Sequence, residues 1–351
     1  MRIAVTYSSR EGLRNEFRKA SCEFPDSEEE PPLPDFFAEG DSPETINRIL
    51  GSIRSLGHEV SGVEADDSAR ENLLSFAPHL VFNIAENLFG DFRESYIPML
   101  CERERIPYTG STPLTLALCL NKTRCKEILS YYRIPTPKFL LLEEENLEEI
   151  YDFEYPAIIK PNAEGSSKGI FNNSVVTDAD SARKLAKEKI AQYRQPVLME
   201  QFLEGREFTV ALWGNGRSVE VLPLVEIVYE ELPDEAWPIY SYEAKWIWDV
   251  PEKPLDIFRC PAVLEPGLKD DIEKTVRKTF EVLDIKDWCR IDVRLDSHGT
   301  PNILEINPLP GVLPKPEDNS CFPKAARTAG YPYEKMIEKI ICIASERHAL
   351  R

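Results

Sequence analysis

The sequence predicts an α/β protein of two or three domains, and three observations carry that expectation. The chain has 351 residues, more than one small core organises. Through its first 110 residues, short apolar strands alternate with helical stretches, which implies a parallel sheet with helices on both faces. Near the C-terminus, Trp288 to Gly311 (WCRIDVRLDSHGTPNILEINPLPG) reads as two strands around a turn, with acids on one face.

The elements follow in order. Arg2 to Tyr7 (RIAVTY) is a first strand. Glu23 to Asp41 is acidic and proline-rich, with Glu28-Glu29-Glu30-Pro31-Pro32 inside it, and is expected to be a mobile surface loop. Ser42 is placed to cap a helix with Pro43 at its first position, and Ile46, Ile49, Leu50, Ile53 and Leu56 keep helical spacing up to Gly57. His79 to Ile84 is a buried strand. Arg93 to Arg105 is expected as a helix broken by Pro98. The first domain is expected to end near Gly110. Beyond it, Thr115 to Tyr132 is helical, Phe139–Leu142 and Ala157–Lys160 are strands, and Ser181 to Tyr193 is an amphipathic helix. Val197–Phe202 and Glu207–Trp213 are strands, Asp270–Leu283 is a helix, and Ala325–Ala349 closes the chain mostly as helix.

Composition narrows the function classes. Hydrophobic residues make up 42% and charged residues 29%, ordinary for a soluble globular chain. No apolar run approaches the roughly 20 residues of a membrane span, and the N-terminus lacks the apolar core of a signal peptide, so a cytoplasmic location is expected. The eight cysteines are scattered without a CxxC pair, which points to reduced thiols rather than a disulfide frame or zinc site. A net charge of −19 argues against nucleic acid or an anionic membrane as partner, though not against a nucleotide held by a few local cations.

The C-terminal hairpin carries the most chemistry. A turn centred between His298 and Gly299 sets Asp292 opposite Glu305 and Arg290 opposite Asn307, all on one face. Ile291, Val293, Leu304 and Ile306 then fall on the other. Opposed carboxylates repel, and a divalent cation removes that cost. An Asp/Glu/Asn oxygen set suits a hard ion such as Mg²⁺, unless the face is merely solvated with Arg290 bridging the acids. Upstream, Lys160 ends a strand and precedes the polar loop Asn162–Gly169 (NAEGSSKG). Its backbone N–H groups and the Ser166 and Ser167 hydroxyls can face an anion, with Lys168 adding charge. Lys122 lies within the helical stretch Thr115–Tyr132 and Glu200 in a strand; alone, the lysine reads as a solvated surface charge and the glutamate as an edge carboxylate. The four histidines flank no convincing Ser or Cys nucleophile, which disfavours a triad hydrolase. Cations, a Ser-rich loop and an acidic face in this order are what ATP with Mg²⁺ requires.

These motifs together resemble the ATP-grasp ligases, specifically the D-alanine–D-alanine ligase group. The matching text is IPYTGS (Ile106–Ser111), NKTRCK (Asn121–Lys126), IIKPNAEGSSKGI (Ile158–Ile170), LMEQFLEGREFTVA (Leu198–Ala211), YSYEAK (Tyr240–Lys245), CPA (Cys260–Ala262), WCRIDVRLDSHG (Trp288–Gly299) and LEINPLPG (Leu304–Gly311). The resemblance implies an ATP-grasp fold: a parallel α/β domain over residues 1–110, then two α+β subdomains, 111–203 and 204–351, sandwiching ATP. It implies that Lys122 and Lys160 hold ATP phosphates beneath the loop Glu164–Gly169, with Ser166 near the reacting groups and Ser167 beside it. Glu200, Gln201, Phe202 and Leu203 would meet adenine, largely through the backbone, and Glu207 the ribose. Lys245 would approach phosphates and the reacting carboxylate. Asp292, Glu305 and Asn307 would ligate two Mg²⁺ ions, or Mn²⁺, and Arg290 with the Gly311 N–H would stabilise an oxyanion.

The implied reaction is phosphorylation of a carboxylate to an acyl phosphate, followed by attack of an amine to form a peptide bond. Small-molecule substrates and a homodimer are the implied partners. Departures from the family pattern fall at Val5–Glu11, at Asn83–Asn87 with Glu86, at Trp246 and at Val312–Asn319, all where the amino-acid substrates would sit. A dipeptide ligase with other substrates, or a nucleotide-binding module without catalysis, are the alternatives.

Overall fold

The computed structural model describes residues 1–23, 33, 35–249 and 255–350, without the side chains of residues 21–23 and 246. The expected features at Glu28–Pro32 and at the Trp246 side chain lie outside the described residues. Among the described residues no helix is long and apolar enough to cross a membrane, and Cys101, Cys119, Cys125, Cys260, Cys289, Cys321 and Cys342 are free thiols.

The N-terminal sheet is parallel, as the strand–helix alternation implies, in the order Glu59–Glu64, Arg2–Tyr7, Leu80–Asn83. Its edge strand Glu59–Glu64 escapes a reading by periodicity because only Val63 in it is buried. The helix Pro43–Ser55 starts where the cap chemistry places it: Ser42 Oγ accepts the Thr45 N–H at 3.1 Å. Ile46, Ile49, Leu50 and Ile53 go into a core with Ile3, Val5 and Phe82, each such side chain contributing about 1.5–3 kcal/mol. That core continues into Trp213, Trp288, Phe322 and Met336, so it joins the first sheet to the C-terminal part of the chain.

Two helical expectations are corrected, and a third, the mostly helical C-terminus, holds with a break in it. Pro98 does not break its helix, since Tyr96–Glu104 runs through it; the proline sits in the first turn, where no N–H is needed. The stretch 115–132 is two helices, Pro113–Leu120 and Lys122–Tyr131. They divide at Asn121, whose side chain caps the second by accepting the Arg124 N–H at 3.1 Å. The C-terminal stretch is likewise two helices, Cys321–Thr328 and Tyr333–Arg347, parted at Gly330 (φ +89°) and Pro332.

Two antiparallel sheets follow. A four-stranded sheet has the order Phe139–Leu142, Val197–Gln201, Ala157–Pro161, Val175–Val176, backed by the helix Ala179–Tyr193. A six-stranded sheet runs Phe258–Arg259, Val225–Ile227, Glu207–Trp213, Trp288–Leu295, Pro301–Asn307, with Glu220–Val221 paired to Glu207–Trp213. In the hairpin, Arg290 faces Asn307 and Asp292 faces Glu305, as the turn placement requires. A bulge then shifts the register, so Val293 faces Ile303. This corrects one core residue: Ile303 is fully buried in the expected place of Leu304, and Leu304 faces the cleft described below.

The acidic stretch before Ser42 is corrected too. Within its described part, Asp35 and Glu39 are 0% and 8% exposed, so this is no surface loop. Carboxylates are buried only when paired or hydrogen-bonded: Glu39 meets Arg93 and Lys168, and Asp35 Oδ2 accepts from the Gly169 N–H and the Tyr193 hydroxyl.

Candidate active site

A cleft of about 730 Å³ opens between the two antiparallel sheets, with Ala38 to Ser42, Glu44, Thr45, Glu86 and Glu94 walling one end. Lys122, Lys160, Glu164, Ser166, Ser167, Glu200 to Leu203, Glu207, Lys245, Arg290, Asp292, Glu305, Asn307 and Gly311 all line it. Residues far apart in sequence are thus brought to one space.

On one wall, Lys160 Nζ donates to Glu200 Oε1 at 2.5 Å, and Lys126 Nζ lies 2.9 Å from Glu200 Oε2. Glu200 is 2% exposed, and although burial works against its charge, Lys126 and Lys160 hold it down at about 2. Burial also opposes the Lys160 charge, but Glu200 and Glu305 outweigh this and raise its pKa. The Glu200 side chain is therefore the counter-ion of the two lysines. The N–H groups of Gln201 and Phe202 are engaged by Lys138 O and Pro156 O. Lys122, at the start of its helix, takes Asn162 O on its backbone N–H, and its Nζ reaches both Glu164 O and Glu305 Oε1, the latter at 2.7 Å. Glu164 gives the cleft its carbonyl; its carboxylate turns to Gln195, Lys168 and Arg93. Lys168 likewise faces Glu164 and Glu39, so its charge does not add to an anion site in the cleft. Ser166 and Ser167 are both left-handed (φ +51° and +60°), a curl that side-chain-bearing residues adopt only when held, and Ser167 Oγ donates to Tyr240 O.

On the other wall, each hairpin acid already has a cation. Arg290 Nε and Nη2 grip Asp292 at 3.1 and 3.0 Å, Asn307 Nδ2 donates to Asp292 Oδ2, and Lys122 holds Glu305. Burial raises the Glu305 carboxyl, yet Lys122 and Lys160 outweigh it and keep it lowered. Among the described residues no group of three or more His, Cys, Asp or Glu forms a metal cage. Two carboxylates with one amide oxygen instead fit Mg²⁺, which keeps waters and takes its other ligands from substrate phosphates. Glu207, beside them, accepts from Tyr229 OH at 2.7 Å and Arg294 at 2.9 Å.

Lys245 sits on the short turn Ala244–Trp248, its N–H bonded to Ser241 O. Burial, and then the neighbouring Arg290 charge, bring its ammonium down to about 8. Toward the N-terminal wall, burial followed by neighbouring acids pushes Asp41 up to about 8, Glu94 up to about 7 and Glu86 well up.

Several residues of this site escape sequence reasoning. Lys126 carries a signal, since it follows Lys122 by four positions and shares its helix face. Thr209, buried with an unpartnered Oγ1 at the cleft and opposite Asp292 in register, sits in an ordinary strand pattern. Asp35, Glu39 and Arg93 have no local signal.

A family model described as D-ala D-ala ligase C-terminus matches residues 128–342, more than half the chain. The chain belongs to the D-alanine–D-alanine ligase family. A curated D-alanine–D-alanine ligase from Actinobacillus succinogenes is 32% identical over 301 residues, covering 84% of this chain and 89% of that one. An uncharacterized protein, y4sG, of Sinorhizobium fredii is 33% identical over 309 residues, covering 86% and 87%. The solved D-alanine–D-alanine ligase of Bacillus anthracis complexed with ATP superposes over 99% of both chains with a TM-score of 0.68 at 20% identity, so this family member has the ATP-grasp fold.

Proposed function

We propose that this chain is an ATP-dependent ligase that joins a carboxylate, that of an amino acid, to an amine with release of ADP and phosphate. The observation that carries the reading is the meeting of Lys122, Lys160, Lys245 and Arg290 with the oxygen donors Asp292, Glu305 and Asn307 in one cleft. Lys122 and Lys160 bind the phosphates, Gln201 to Leu203 border the adenine, and Glu207 takes the ribose. Asp292, Glu305 and Asn307 are the residues that would hold Mg²⁺, two ions or Mn²⁺ in their place, which neutralises phosphate charge. The loop with Ser166 and Ser167 excludes water from the acyl phosphate.

Lys245 steadies the carboxylate oxygen that attacks the γ-phosphorus as ADP leaves. Arg290 uses Nε and Nη2 on Asp292; its Nη1, without a partner among the described residues, and the Gly311 N–H stabilise the oxyanion formed when the amine attacks the acyl carbon and phosphate departs. No protein nucleophile takes part, and rate comes from positioning and electrostatics.

D-alanine for both substrates is the reading that family membership supports. The acidic wall of Asp41, Glu86 and Glu94 supports a second, in which other amino-acid or amine substrates are used. A screen of amino-acid pairs for ADP release separates them. D-alanine-dependent turnover yielding D-alanyl-D-alanine selects the first, and turnover only with another pair selects the second. Mg·ATP binding without ADP release from any pair leaves a nucleotide-binding module. A cytoplasmic homodimer acting on small molecules completes the reading, and light scattering of the purified chain tests the dimer.

A further inference from the structure

We infer that Asp35 and Glu39 form a carboxylate latch that positions the loop Glu164–Gly169 over the nucleotide, tying closure of that loop to the segment that walls the substrate end of the cleft. The inference rests on reading the cleft as an ATP site.

The latch grips the loop near both its ends. Glu39 Oε1 accepts the Gly165 N–H at 3.0 Å and Arg93 Nη2 at 2.8 Å, and Glu39 Oε2 lies 3.2 Å from Lys168 Nζ. Asp35 Oδ2 accepts the Gly169 N–H and the Tyr193 hydroxyl, both at 2.8 Å. Arg93 adds a bond from Nη1 to Ala163 O at 2.8 Å. The glycines are needed for this approach: a Cβ on Gly165 would come within 2.7 Å of Glu39 Oε1, and Gly169 has a φ of +72°.

These contacts differ from exposed ion pairs, which order little. The side chains of Glu39, Arg93 and Lys168 are 2%, 5% and 5% exposed, so losing one partner strands the others in a dry place. Between the two grips, Ser166 and Ser167 keep their left-handed curl and line the cleft. The same chain segment then runs on as Gly40, Asp41, Ser42 and Thr45 into the cleft wall. A substrate that presses on that wall would act on the loop through this short, continuous piece of chain. Asp35 and Glu39 reach no reacting atom themselves and are positioning residues.

The test compares wild type with Glu39→Gln, Asp35→Asn, Lys168→Met and Lys168→Arg. Hydrogen exchange is followed in the peptide spanning residues 164–170, with strand 288–295 as internal reference, alongside the KM for ATP. The latch predicts at least tenfold faster exchange in the loop of Glu39→Gln with the reference strand unchanged. It also predicts a KM for ATP raised tenfold or more while kcat changes only a few-fold, and Lys168→Arg restoring most of what Lys168→Met loses. If Glu39→Gln does not fold, Asp35→Asn and the Lys168 pair carry the same readouts. Loop exchange and ATP KM within twofold of wild type in the folded variants overturn the latch. Failure of the wild type to turn over any substrate pair defeats the ligase reading alone, because exchange in the loop and calorimetric Mg·ATP affinity still report on the latch.

Discussion

Replacing Glu305 by Gln removes one negative charge and leaves the side-chain shape. In the folded chain Glu305 lies 2.7 Å from Lys122 Nζ and directly opposite Asp292 across the hairpin. Its lowered pKa means it is charged at neutrality. Two effects on stability oppose each other. A hydrogen bond to a charged group contributes about 1.5–3 kcal/mol, part of which the amide oxygen retains toward Lys122. Removing a carboxylate opposite Asp292 relieves repulsion of up to about 1 kcal/mol. The net change in stability is then about 1–2 kcal/mol at most, and the fold persists.

Catalysis has no such offset. In the proposed ligase the charge would face the phosphates where the reaction concentrates negative charge, and losing one preorganised electrostatic contact of this kind costs about 3–4 kcal/mol, roughly 10²–10³-fold in kcat. The assay is ADP release, coupled to a spectrophotometric readout and titrated with Mg²⁺, beside a thermal melt. A folded Glu305→Gln enzyme that forms ADP within threefold of wild type, with the same Mg²⁺ dependence, refutes the assignment.

Three further outcomes are expected. Lys245 loses its proton as pH rises through about 8, so kcat/KM for ATP falls above that pH, and Lys245→Arg abolishes this alkaline limb; a limb unchanged in the arginine variant assigns it to another group. Asp41, pushed to about 8 by burial from an ordinary value of 3.8, binds its proton more tightly in the folded chain. The stability linked to it is therefore whole below about pH 4 and is lost as pH rises toward 8; melting temperatures should show Asp41→Asn gaining on wild type across that interval, and a constant difference counts against it. Glu200→Gln leaves Lys126 and Lys160 buried without a counter-charge and should cost about 3–5 kcal/mol in denaturant unfolding, with Lys126→Met added to it recovering part.

Some of this protein is written in local pattern. Period-2 alternation and the turn at Ser297–Thr300 determined which face of the hairpin carries Arg290, Asp292, Glu305 and Asn307, because side-chain alternation admits only two answers. Ser42 and Pro43 set the start of a helix, since capping is settled within four residues. The order of Lys122, Lys160, the Ser166–Ser167 loop and the acids marks residues that line one cleft, the one proposed to take a nucleotide. What pattern does not encode is which distant charge meets which. The bulge between Asp292 and Val293 that turns Leu304 into the cleft leaves no mark on the alternation of the two strands. Glu200 looked like an edge carboxylate until Lys126 and Lys160 closed on it. Asp35 and Glu39 belong by composition to a solvated acidic stretch, and only the folded chain, by bringing Arg93, Lys168, Tyr193 and two loop N–H groups to them, makes their burial affordable. Burying charge is governed by partners in space, and those partners lie far away in sequence.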